Sequence, residues 1–231
     1  MVLKKNSGIK KMLRAFASRE VIERSSSVLN PRLEVVRIGE SLLLDSANSN
    51  YSFGGLHRVF RKAFKQVRMT ERKPEKVLIL GFGAGSVAAI LREELGIDCR
   101  ITAVEKDPEV IRLGRAHFDT ARFGGLELIC GDASAFVEEG NELFDLIVVD
   151  VYVDFEVPAS CETEDFVKGL FRLLSPGGMV MFNKLVYNHR ASEQADLLEK
   201  QFRALKGSTR ILRIRENITN RIIVFERAAA Q

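Results

Sequence analysis

The chain has 231 residues, long for one small domain and short for two full ones, so a single core with added elements is the starting expectation. Hydrophobic residues make up 46% and charged residues 29%, the balance of a folded soluble protein that buries its own core without disulfides or metal. The net charge is only +4, and no apolar run reaches the ~18 to 20 residues that span a bilayer, which excludes an integral membrane protein.

Cys99, Cys130 and Cys161 are odd in number and share no close spacing. Cys99 and Cys130 lie beside apolar strand residues and read as inert core thiols. With no signal peptide in view, the expectation is a reducing, cytoplasmic compartment. Much of the basic excess precedes residue 75, at Lys4, Lys5, Lys10, Lys11, Arg14, Arg58, Arg61, Lys62, Lys65, Arg68, Arg72 and Lys73. No aromatic residues interleave with these charges as single-strand binders require, so a solvated face is favoured over a nucleic-acid partner.

Residues 8–24 carry Ile9, Met12, Leu13, Phe16, Val21 and Ile22 near helical spacing, which predicts a basic amphipathic helix. Such a helix docks on its own core or on a second subunit, so a homodimer is a possibility the sequence leaves open. Residues 25–31 read as a linker. Leu33 to Ile38 and Ser41 to Asp45, joined at Gly39-Glu40, predict a β-hairpin. A polar stretch over 46–55 precedes a basic helix from about Leu56 to Val67.

From Lys76 the pattern becomes strand and helix in alternation. Strands are expected at 77–80, 101–104, 126–130, 146–149 and 179–182, with helices over 87–95, 108–118, 133–139, 164–174 and 192–205. Two last β-prone runs, 210–214 and 221–225, have no helix between them and so pair antiparallel. The fold class is therefore α/β, a Rossmann-like, mostly parallel twisted sheet with one antiparallel strand and helices on both faces. Three segments are expected: a basic helix and linker over 1–30, a hairpin-and-helix appendage over 31–75, and a nucleoside-binding core over 76–231.

In open α/β sheets a ligand sits beyond the carboxyl ends of the strands. Four strand ends carry polar or glycine features here: Gly81-Phe82-Gly83-Ala84-Gly85-Ser86, Glu105, Gly131-Asp132 and Asp150. The glycines allow a tight turn and close approach to a ligand. The dinucleotide fingerprint needs glycine at position 86, where this chain has Ser86, which disfavours a nicotinamide or flavin cofactor. Glu105, at the end of the second strand of the alternating series, has the chemistry to accept both ribose hydroxyls. Asp132 either accepts from an adenine amino group or caps the helix that begins at Ala133. Asp150 ends the fourth strand of the series, where a carboxylate can also serve simply as a hydrogen-bonded strand terminus. His57, His117 and His189 lack zinc-like spacing, so no metal is expected; His57 and Tyr51 either touch substrate or pack beside the hairpin.

The runs Val77-Leu-Ile-Leu-Gly-Phe-Gly-Ala-Gly-Ser86, Val104-Glu-Lys-Asp-Pro-Glu-Val-Ile111, Gly131-Asp-Ala133 and Phe144-Asp-Leu-Ile-Val-Val-Asp150 resemble the spermidine synthase family, a branch of the class I S-adenosylmethionine-dependent methyltransferase fold. The resemblance covers roughly 76–185; the hairpin at 33–45 and the run 220–225 are similar to the family's N-terminal β-element and closing strand. It implies S-adenosylmethionine, or its decarboxylated form, held by Gly81, Phe82, Gly83, Gly85, Glu105, Lys106, Asp132, Ala133 and Asp150. Asp150 takes the family's catalytic place, accepting a proton from an attacking amine, and Tyr51, Tyr152 and Asp154 are candidate contacts to a small-molecule acceptor. Three departures stand out. Ala84 replaces an aspartate of the family's turn, the acidic loop after Asp150 gains a residue and lacks its proline, and the segment after the hairpin is shortened. On this ground the sequence favours methyl transfer, with aminopropyl transfer or a non-catalytic nucleoside-binding module as alternatives.

Overall fold

Five strands lie side by side in parallel. Four of them carry runs of buried residues because helices cover both faces of the sheet, and the fifth, at the edge, is only partly buried. The structure, a computed structural model, describes residues 19–46, 50–153 and 155–229, and the side chains of all of these except 50 and 51. The parallel strands are β5 (Lys76–Leu80), β6 (Arg100–Glu105), β7 (Leu126–Cys130), β8 (Phe144–Val149) and β9 (Leu174–Val186). Strands β10 (Gly207–Arg215) and β11 (Thr219–Arg227) complete a seven-stranded sheet in the order β10-β11-β9-β8-β5-β6-β7. Since β11 is antiparallel to both β9 and β10, it is the one reversed strand, as the pattern predicts.

The chain runs outward from β5 through β6 to β7, then returns to the other flank of β5 as β8. The crevice for a ligand therefore opens between the ends of β5 and β8. Helices α1 (Gly55–Gln66) and α3 (Ser86–Ala89, continued by a π turn over Ile90–Glu94) cover one face, through Phe60, Phe64, Ile90 and Leu91. The short α2 (Met69–Arg72) leads from α1 towards β5. Helices α5 (Ala133–Glu139), α6 (Glu164–Arg172) and α7 (His189–Arg203) cover the other, through Val137, Phe166, Leu170, Leu198 and Phe202. Helix α4 (Pro108–His117) begins at an N-cap, Asp107, with proline in its first turn.

A four-stranded antiparallel sheet precedes this core: β1 (Arg19–Ser25), β2 (Leu33–Ile38), β3 (Ser41–Ser46) and β4 (Asn50–Ser52). Leu33, Val35 and Leu44 pack on Val110 and Leu113 of α4 and on Ala84, so the small sheet is seated directly beside the glycine turn.

Several expectations are corrected. Residues 19–24 belong to strand β1, not to a helix, while 8–18 lie outside the described residues. The cause is cross-strand charge: buried Glu34 on β2 accepts from Arg19 (2.6 Å) and Arg24 (3.1 Å) of β1 and from Arg32 (2.9 Å). Arg19 foremost holds the Glu34 carboxyl down at about 2, against desolvation that opposes it. The polar stretch after the hairpin contains β4. The strand expected over 179–182 begins earlier, at Leu174, with Pro176-Gly177-Gly178 as a bulge inside it, since the register jumps from Phe144↔Leu174 to Leu146↔Met179. Cys99 and Cys161 are buried, but Cys130 is exposed because β7 is the edge strand.

Most basic residues of α1 and α2 are tied to acids of the same chain, Lys65 being the exception. Arg58 and Lys62 pair with Glu216, Arg61 and His57 with Glu94, and Arg72 with Glu226. Among the described residues no helix is long and apolar enough to cross a membrane, and no cluster of His, Cys, Asp or Glu suits a metal ion.

Candidate functional site

Gly81 ends β5 at φ +86°, and a Cβ placed there would lie 2.2 Å from the Asp150 carbonyl oxygen. Only glycine lets the ends of β5 and β8 approach so closely while the chain turns. The cavity that opens there has a volume of about 410 Å³, within the range of sites for nucleoside-sized ligands. Its wall includes Gly81, Phe82, Gly83, Glu105, Lys106, Asp132, Ala133, Asp150 and Tyr152, so the structure brings nearly all the expected site residues together. Gly85 is set back, its α-carbon facing the Phe82 and Phe123 rings at φ +98°. Tyr51 (side chain) and Asp154 lie outside the described residues.

The backbone amides of the glycine turn are already engaged. Those of Gly81 and Phe82 donate to the Val104 carbonyl (2.9 and 3.2 Å), and that of Gly85 to the Phe82 carbonyl (3.1 Å). Gly83 donates to Glu105 Oε2 (2.9 Å) and Ala84 to Ser52 Oγ (2.8 Å). The Ser86 hydroxyl accepts from the Phe53 amide (2.7 Å), pinning the segment between β4 and α1 onto the turn.

Glu105 is almost fully buried, and its other oxygen accepts from the Asp107 amide (3.0 Å). Burial raises its pKa although those amide bonds oppose the rise. Asp107 is itself buried, capping α4 with Oδ1 and receiving Ser27 Oγ (2.5 Å) and Asn30 Nδ2 (2.6 Å) at Oδ2. The loop between β1 and β2 is thereby fastened to the site, with Leu29 and Asn30 in the cavity wall.

Asp132 caps α5, taking the Ser134 amide and hydroxyl (2.8 and 2.5 Å) and the Ala135 amide (3.2 Å) on Oδ1. Its Oδ2 pairs with Lys106 Nζ (2.9 Å). The Ser134 hydroxyl and then Lys106 hold its pKa far below the usual carboxylate range, against partial desolvation. The cap and the cavity wall are thus both true of Asp132. Tyr152 donates its hydroxyl to the Asn183 carbonyl (2.8 Å) and accepts from the Leu185 amide (3.0 Å), so it braces β9 and offers the cavity its ring.

Asp150 is buried, and Oδ1 accepts from Asn183 Nδ2 (3.0 Å). Burial pushes its pKa up to about 7; the Asn183 bond opposes the rise and the charge of Glu105 adds to it. Asn183 Nδ2 also donates to Asn220 Oδ1 (3.1 Å), and Asn220 Nδ2 to the Ile218 carbonyl (3.2 Å). Two acceptors hold the Asn183 amide in this orientation, and its Oδ1 is buried with no partner among the described residues. A buried acceptor left open costs ~1 to 3 kcal/mol.

Asn183, Asn220, Asp107, Asn30 and Glu216 were not singled out in the sequence. Asn183 alone carried a signal: it is the polar residue that ends the apolar run Met179–Phe182, the same mark that singled out Glu105 and Asp150. His57 stacks on Phe53 and pairs with Glu94, outside the cavity wall.

Comparison with known proteins agrees with this geometry. Residues 77–178 match a family model described as a methyltransferase domain. The polyamine aminopropyltransferase of Vibrio vulnificus is 26% identical over 174 residues, 70% of this chain and 55% of the relative. Polyamine aminopropyltransferase 2 of Hyperthermus butylicus is 29% identical, covering 64% of this chain and 50% of the relative. The chain spans about half the length of these relatives. Among solved structures, the spermidine synthase from Thermotoga maritima superimposes with a TM-score of 0.68 at 16% identity, over 91% of this chain and 74% of that one. Human methyltransferase-like protein 13, in complex with SAH, gives 0.61 at 17% identity over 78% of this chain and 84% of its own. With its glycine turn and acidic strand ends in place, the chain has the Rossmann-like methyltransferase fold and is similar in sequence to polyamine aminopropyltransferases and in fold to spermidine synthases.

Proposed function

We propose that the protein transfers an alkyl group from an S-adenosylmethionine-type sulfonium to an amine, and that the group is aminopropyl, from the decarboxylated donor. The observation that carries this is Asp150, a buried carboxylate with a pKa raised to about 7, in one cavity with Glu105 and the glycine turn. The relatives named as polyamine aminopropyltransferases favour aminopropyl over the methyl transfer expected from sequence.

The residues fit such a donor. Glu105 would hold the ribose hydroxyls, and Asp132 beside Ala133 would lie at the adenine. Glu105 and Asp150 put two buried carboxylates at the base of the cavity, a field that favours a cation over a neutral thioether. When bound, the donor supplies an electrophilic carbon whose bond to sulfur breaks, its electron pair staying on sulfur, as the amine lone pair forms the new C–N bond. Asp150 holds the incoming amine, and its ionised form accepts the nitrogen's proton and passes it to water. Asn183, through Nδ2, holds the Asp150 carboxylate in the orientation in which it receives the amine.

A second reading, methyl transfer, is favoured by Ala84, which leaves the turn without a carboxylate for the donor's amino group. Incubation with each donor and a panel of amines, read by mass spectrometry of the acceptor, tests both. Aminopropylated product is expected. Methylated product alone would favour the second reading, and no alkylated product from either donor would overturn both.

A further inference from the structure

Lys184 is a cation inside the sheet. It follows Asn183 on β9 with only 3% of its side chain exposed, and its register partner on β11 is a second cation, Arg221. Arg221 is drawn the other way, to Asp196 and the Ser192 hydroxyl of α7. Lys184 Nζ instead meets Glu162 Oε1 at 2.5 Å. A buried cation beside a like charge needs a carboxylate to offset it, so this ion pair gives Glu162 a fixed place.

Glu162 follows a short turn, Ala159–Cys161, that leads into α6. Gln201 Nε2 of α7 donates to the Glu162 carbonyl (3.2 Å), and Thr163 Oγ1 to the Ser160 carbonyl (3.3 Å). Cys161, buried in the turn, and Pro158 just before it both belong to the cavity wall. The turn packs against α5, and the charges that act on the Cys161 thiol are those of Asp132, Lys106 and Glu162.

We propose that Lys184 and Glu162 are positioning residues: their ion pair sets the Ala159–Cys161 turn against the start of α5, and so shapes the cavity wall beside Asp132 and Ala133. The inference rests on the nucleoside reading for what that wall touches, but not for the hold on the turn.

Three cysteines in three settings report on it. Cys130 is exposed on the edge strand, Cys99 is buried on the opposite face of the sheet, and Cys161 is buried in the turn. Alkylation of the full chain by iodoacetamide, followed at each cysteine by mass spectrometry, compares the unaltered protein with Lys184→Met, Glu162→Gln and the double variant. Either single change is expected to speed the reaction at Cys161 by ~10-fold or more while Cys99 stays within ~2-fold. The double variant is expected to match the singles, since each removes the same interaction. Glu162→Gln keeps the side chain's shape at a partly exposed position, so it carries the test alone if Lys184→Met does not fold. Methylthioadenosine affinity, measured by calorimetry, is expected to fall by ~10-fold in the same variants. An unchanged Cys161 rate, a parallel rise at Cys99, multiplied effects in the double variant, or unaltered affinity beside a freed Cys161 would each overturn the inference. No binding of methylthioadenosine to the unaltered protein would instead defeat the nucleoside reading, and the thiol rates would still decide whether the pair holds the turn.

Discussion

Asn183 Nδ2 donates to Asp150 Oδ1 at 3.0 Å, joining the carboxyl ends of two adjacent parallel strands, β8 and β9. The bond stabilises the ionised carboxylate and so opposes the rise in pKa that burial imposes. Asn183→Leu keeps a side chain of similar size and removes the donor. The acid limb of the pH profile for kcat/KM, set near 7 by Asp150, is then expected to move up by about one unit. A fall in kcat with the limb unmoved would reduce Asn183 to a packing role.

Asp150 also makes stability depend on pH. Its folded pKa, about 7, lies above the usual aspartate value of 3.8. The folded protein therefore binds a proton through that window which the unfolded chain has released. The contribution is fully present below about 4 and is lost as pH rises through about 7, on the order of a few kcal/mol. Without ligand, thermal stability is expected to fall between pH 5 and pH 8, and Asp150→Asn to remove much of that slope. Glu105, also raised by burial, supplies a residual slope of the same sign. An unaltered slope in Asp150→Asn would mean that the folded state holds Asp150 at its ordinary pKa.

The alternating core was legible because the parallel strands are short, mainly apolar runs, four of which end at glycine or an acid. Those ends converge for a topological reason, so Gly81, Glu105, Asp132 and Asp150 were found without coordinates. Strand β1 was missed because Val21 and Ile22 fit either period, and the deciding charge, Glu34, lies on another strand. Asn183 and Glu216 escaped notice for a related cause. Each acquires its meaning from a contact distant in sequence: Asn183 from Asp150, thirty-three positions away, and Glu216 from Arg58 at 158. The preference for methyl transfer came from the loss of charged positions in the motifs, a signal about the acceptor and the donor's tail rather than about which carbon is transferred.

Gly81 is a stringent position. A Cβ there meets the Asp150 carbonyl oxygen and carbon at 2.2 and 2.7 Å, and both belong to backbone that has no freedom to swing away. The positive φ adds strain for any other residue. Gly81→Ala is expected to lower stability by several kcal/mol, or to push β8 outward and carry Asp150 with it. Urea denaturation with the mutant's residual activity checks this. A mutant with full stability and turnover would mean that the strand ends are further apart than described.

Glu105 holds the turn and the ligand with one carboxylate. Oε2 takes the Gly83 amide and Oε1 the Asp107 amide, and the residue lines the cavity. Glu105→Gln preserves the shape but turns one oxygen into an NH2 that faces a backbone N–H. That mismatch costs ~1 to 3 kcal/mol and removes an acceptor from the ribose. Affinity for methylthioadenosine, measured calorimetrically, is expected to fall by ~10-fold or more. Melting temperature should fall with it, because Asp107 and the docked loop at Ser27 and Asn30 depend on the same carboxylate. Loss of stability with unchanged affinity would separate the two roles and assign the ribose to other groups in the cavity wall, Asp107 and Asn30 first among them.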